Sequence, residues 1–131
     1  MGRNIVAVIA GIAAAVLTVF ILETAAHAIL PFPGAADGAQ MDMRNLPLAS
    51  ALAIVVTWCA GAFVGAWVAA SIARSNHTLC AMIVATMLAL SGVATMLMMA
   101  HPIWFWIAGV VLPFPAALAA TRLRRKPALA A

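Results

Sequence analysis

The chain has 131 residues, of which 67% are hydrophobic and only 8% charged. A soluble domain is about 45–50% apolar and about 25% charged, and a water-soluble fold of this size has too little interior to hide so much apolar surface. That excludes a soluble globular domain, a disordered tail and a nucleic-acid module, and predicts an all-α integral membrane protein.

A bilayer core of about 30 Å takes roughly 20 apolar residues per helix, so the chain has room for four spans in one four-helix transmembrane domain, 1–131. The first apolar segment runs over about 5–30 and ends at Pro31-Phe32-Pro33-Gly34, because proline cannot continue a helix and disfavours helical geometry before it. Arg3, the apolar run and Ala26-His27-Ala28 have the outline of a cleaved signal peptide. However, the stretch from Ile5 to Leu22 is longer than the usual 7–15 residues, and Glu23 and His27 are out of place near a cleavage site, so a retained helix is expected.

A polar loop with Asp37, Asp42, Arg44 and Asn45 leads to the second span, about 46–73. Arg74-Ser75-Asn76-His77 forms a tight turn to the third span, about 79–99. Ala100-His101-Pro102 separates this from the fourth, about 103–123, with Pro102 suited to a helix start.

Lysine and arginine placement sets the orientation. The net charge is +4, and four of the seven cations, Arg122, Arg124, Arg125 and Lys126, lie in the last ten residues. A basic tail beside an apolar helix fixes topology or touches anionic lipid headgroups more readily than it binds nucleic acid. With Arg3 and Arg74 on the same side, both termini are expected in the cytoplasm of a bacterial inner-membrane protein. Trp104 and Trp106 then lie at the outer interface.

Helices in lipid associate by close fit, so small residues mark contact faces. The second span repeats them every four residues: Ala49, Ala53, Thr57, Gly61, Gly65, Ala69 and Ala73. Shorter versions occur at Ala7-Gly11-Ala15 and Ala81-Ala85-Ala89. The stripe through Ala53, Thr57, Gly61, Gly65 and Ala69 predicts helix packing, within the chain or against a second copy or another membrane protein. Pro113 and Pro115 predict a kink in the fourth span, or a broken helix exposing carbonyls to a substrate. Cys59 and Cys80 read as small buried apolar residues.

An ionisable residue within a span carries a functional hypothesis by default. Glu23 is the sole acid in a span, and His27 follows it on the same helix face. With Asp37, Asp42 and His101 it falls on the expected outer side. Met41, Met43, Met96, Met98 and Met99 gather there too. Imidazole with thioether suits copper(I), and imidazole with carboxylate suits zinc, so Glu23, His27 and His101 are candidate metal ligands. The same residues also fit a proton or substrate role. A third alternative is structural: a carboxylate capping the start of the fourth helix, with the histidines as interfacial hydrogen-bonding groups. No cofactor is required, and no nucleophile or phosphate-loop motif points to an enzyme.

Glu23-x-x-x-His27, Pro31-x-Pro33 with Asp37, Trp58 leading into Gly61-x-x-x-Gly65, and His101-Pro102-x-Trp104 resemble an uncharacterised family of small four-span bacterial inner-membrane proteins. The likeness covers nearly the whole chain, with Phe32 interrupting what is usually a run of prolines and a shorter stretch after Asp37. It implies a four-helix architecture and the grouping of Glu23, His27, Asp37 and His101, and no substrate. The resulting expectation is a structural or accessory protein, a homo-oligomer or a subunit of a larger membrane complex. The alternative is a small transporter or metal-handling protein that uses the outer-face cluster.

Overall fold

The computed structural model describes residues 2–30, 32, 43–99 and 101–125. It is all-helical: α1 (Gly2–Ile29), α2 (Leu48–Ile72), α3 (His77–Met98), α4 (Ile103–Val111) and α5 (Pro113–Arg125), with a short 3-10 turn at Met43–Asn45 before α2. Among the described residues four stretches are long and apolar enough to cross a membrane, α4 and α5 together making the fourth.

Several boundaries differ from the expected ones. The second span starts at Leu48 rather than Leu46, because Pro47 takes an extended ψ of 138° at the N-cap and proline disfavours helix at the residue before it. His77 opens α3 instead of belonging to the turn. The turn closes at Asn76, whose φ of 54° is left-handed, a conformation that asparagine tolerates better than most residues. The fourth span breaks at Leu112. Pro113 and Pro115 have no N–H for the carbonyls of Gly109 and Val111, so a rung of the ladder is missing on either side of Phe114.

α2 is the central helix and touches each of the others. α1 lies against it along Ala7, Gly11 and Ala15, while Ile5, Ile9, Val16 and Phe20 face outward. The contact is backbone to backbone. A Cβ placed on Gly65 would lie 2.6 Å from the Gly11 carbonyl oxygen, and one on Gly11 would lie 2.7 Å from that of Gly65. Gly61 admits Val19 Cγ2 at 2.5 Å from the same hypothetical position. Within the stripe, Thr57, Gly61, Gly65, Ala69 and Ala73 are buried, Ala53 is half-buried and Ala49 exposed. Ala81 and Ala85 of α3 pack with Ala66 of α2 and Ala117 and Ala120 of α5.

Both termini of the bundle share one end, where the last carbonyls of α2 are satisfied from three other helices. His77 Nδ1 lies 2.8 Å from the Ala70 carbonyl oxygen. Arg124 Nη2 reaches that of Ser71 at 3.5 Å, and Arg3 Nε donates to that of Ile72 at 2.9 Å. Asn4 Oδ1 accepts from the backbone N–H of Arg74 at 3.1 Å. Cationic groups at a helix C-terminus complement its partial negative charge.

Candidate functional site

The opposite end holds Glu23, His27 and His101. Glu23 sits on α1 six residues before its end, about 9 Å at the helical rise of 1.5 Å per residue, and is half-buried. Its Oε1 accepts a hydrogen bond of 2.9 Å from Trp58 Nε1 on α2. A buried indole N–H needs such a partner, and a carboxylate in a span needs a donor, so each group meets the other's requirement.

The structure invests in placing that indole. Trp58 is 9% exposed and packs in a T-shaped contact with Phe105 of α4. A Cβ on Gly92 of α3 would lie 3.0 Å from Trp58 Cζ3, and one on Gly109 of α4 would lie 2.8 Å from the same atom and collide with Met96 Cε. Glycine at both positions makes room for the ring, whose N–H is thereby held toward Glu23.

Two cavities meet at this pair. One, of about 370 Å³, lies between α1, α2 and α3 and is lined by Val16, Val19, Phe20, Glu23, Trp58, Leu88, Ser91, Gly92 and Thr95. The second, of about 260 Å³, is lined by Glu23, His27, Met43, Ile54, Trp58, Thr95, Met99 and His101. Glu23, Trp58 and Thr95 belong to both walls.

The remaining hydrogen bonds decide what these walls offer. His27 Nδ1 lies 2.8 Å from the Glu23 carbonyl oxygen, and His101 Nδ1 lies 2.8 Å from that of Met99. A carbonyl only accepts, so in each ring Nδ1 carries the proton, and in the neutral imidazole Nε2 is left as an acceptor. Each ring is also fixed by stacking, His27 on Phe32 with centroids 3.8 Å apart and His101 on Phe105 at 4.9 Å. Thr95 Oγ1 donates to the Ser91 carbonyl at 3.0 Å, and Ser91 Oγ to that of Leu88 at 2.9 Å.

Glu23, His27 and His101 thus border one cavity. Asp37, the other member of the proposed cluster, lies outside the described residues, as do Asp42 and Met41. Met43 and Met99 line the smaller cavity, Met96 packs beneath Gly109, and Met98 points outward. Among the described residues no three of His, Cys, Asp and Glu come close enough to hold a metal ion. The carboxylate cap expected for the fourth helix is not made by Glu23, which turns to Trp58. The N-cap of α4 is Pro102, without a side-chain cap bond. Trp58 and Thr95 were not among the site residues read from the sequence; a tryptophan donor and a glutamate acceptor in separate spans were the available signal.

Comparison of the chain with known families, with curated proteins and with solved structures yields no match.

Proposed function

We propose that the chain is a solute-handling membrane protein of the transporter type, which binds a small ligand around Glu23 in the half of the bundle remote from the termini. The carrying observation is the Glu23–Trp58 pair at the junction of two cavities. An ionisable side chain within a span carries a functional hypothesis by default, and helix packing here needs no charge. Cavities near 300 Å³ with apolar walls and a few convergent polar groups are the common form of a small-ligand site. Arg3, Arg74, Arg122 and Arg124 cluster toward the terminal end, which by the positive-inside rule faces the cytoplasm of a bacterial inner membrane; the ligand then enters from the outer side.

The accessory-subunit reading has less support, because the α2 stripe is occupied by α1 along Gly61 and Gly65. A homo-oligomer or a larger complex would use another face. Zinc handling draws no support from the spacing of the described histidines, cysteines and Glu23.

Ligand-observed NMR on the protein in lipid nanodiscs tests the proposal, using a mixture of small aromatic cations, neutral compounds and anions. At least one class should bind the wild type and lose binding in Thr95→Trp, which fills the space beside Glu23. Absence of binding in every class, or binding unchanged in Thr95→Trp, overturns it.

A further inference from the structure

The donors and acceptors around Glu23 are not balanced, and the imbalance selects a ligand. Four donors at the site are already used within the protein: the Trp58 indole N–H on Glu23, the Nδ1–H groups of His27 and His101 on backbone carbonyls, and the Thr95 hydroxyl on Ser91. The polar capacity left on these side chains is acceptor capacity: the glutamate oxygens, Nε2 of each neutral imidazole and the lone pairs of the threonine hydroxyl. Arg44, the described cation at this end, lines neither cavity. Among the described side chains that line the site, an anion would meet only acceptors. An uncharged hydrocarbon would leave a carboxylate in an apolar recess without a counter-charge.

We infer that the site binds an ammonium group with free N–H donors carried on an apolar body. Resting on the reading of this cavity as the functional site, the inference adds the ligand's chemical class. The ammonium meets the Glu23 carboxylate in a charge-assisted hydrogen bond, the strong kind, and its remaining N–H groups meet threonine or imidazole acceptors. The apolar body lies in the larger cavity along Val19 and Leu88, with the outward-facing Val16 and Phe20 at its open rim. An ethanolamine lipid headgroup and a free amphipathic amine share this chemistry.

The test uses three compounds of matched shape: phenethylammonium, propylbenzene, in which a methyl replaces the ammonium, and 3-phenylpropanoate. Binding is measured at neutral pH in phosphatidylcholine nanodiscs, whose headgroups carry no N–H, with empty discs subtracted. Phenethylammonium should bind at least tenfold more tightly than the other two, and Glu23→Gln should remove that preference while the protein stays monodisperse. Replacing part of the lipid with phosphatidylethanolamine assigns the source: competition with the probe supports a headgroup ligand, and undiminished binding supports a free amine.

Equal or tighter binding of propylbenzene or 3-phenylpropanoate by the wild type overturns the inference, with no variant needed. So does an amine preference that persists in Glu23→Gln. If the hydrocarbon or the anion binds and Thr95→Trp removes it, the cavity stands as a ligand site and only its charge assignment fails. If none of the three binds and the broader mixture is also silent, both readings fail.

Discussion

At the scale of single residues, Trp58 explains more of the site than the charged residue it holds. Its N–H supplies Glu23 with a donor, and its ring is admitted only because Gly92 and Gly109 carry no side chain. Removing the donor by Trp58→Phe and the acceptor by Glu23→Met, singly and together, should give a coupling of about 0.6 kcal/mol and at most about 1.7, the average and the maximum measured for interhelical hydrogen bonds in a membrane protein. Unfolding in mild detergent reads it, and additive single effects would show that the bond contributes nothing to stability. Glu23 and His27 were legible in the sequence, being an acid and an imidazole four residues apart in an apolar run. The partner was not, because 35 residues separate Trp58 from Glu23 and helical periodicity carries no information across that distance.

At the scale of elements, the small-residue stripe of α2 was legible as a contact face, while the identity of its partner was not. Gly11 and Gly65 face each other through their backbones, whereas Gly61 faces mainly the side chain of Val19. Backbone cannot move aside as a side chain can. Gly65→Ala should therefore destabilise the bundle by about 1–3 kcal/mol, the usual cost of overpacking. Gly61→Ala should cost less, since Val19 can turn and alanine gains up to about 1 kcal/mol in helix propensity over glycine. Thermal melting followed by circular dichroism ranks the two, and an equal or reversed order would contradict the crossing described. The break in the fourth span was equally legible from Pro113 and Pro115, since the missing N–H groups are a property of the residues themselves.

At the scale of the molecule, the bundle is tied together at the end that holds both termini. Arg3, His77 and Arg124 come from three different helices and meet the last carbonyls of the central one, so α1, α3 and α5 are gathered around the α2 C-terminus. A cation there contributes about 0.3–1 kcal/mol. Arg3→Ala and Arg124→Ala should each weaken the fold by that amount, and together they should speed amide exchange in the last turn of α2 while leaving the Glu23 end unchanged. Exchange that rises equally at both ends would show that the two ends are not independent. As sequence, Arg3 and Arg124 read only as topology signals; their second role depends on which carbonyls the packing brings within reach.

The sequence by itself determined that four stretches are long and apolar enough to cross a membrane, their approximate limits, the break in the fourth, and Glu23 and His27 as residues of interest. All of these follow from composition, local periodicity and the backbone chemistry of proline, each complete within a few turns of helix. Tertiary structure alone decided that α1 fills the α2 stripe, that Glu23 bonds to Trp58 instead of capping the fourth helix, and that the two histidines border a shared cavity with their Nδ1 protons already used. Those outcomes depend on which helices are neighbours and how closely they approach. In a membrane that is decided by shape and hydrogen-bond satisfaction between spans, which become visible only when the spans are together.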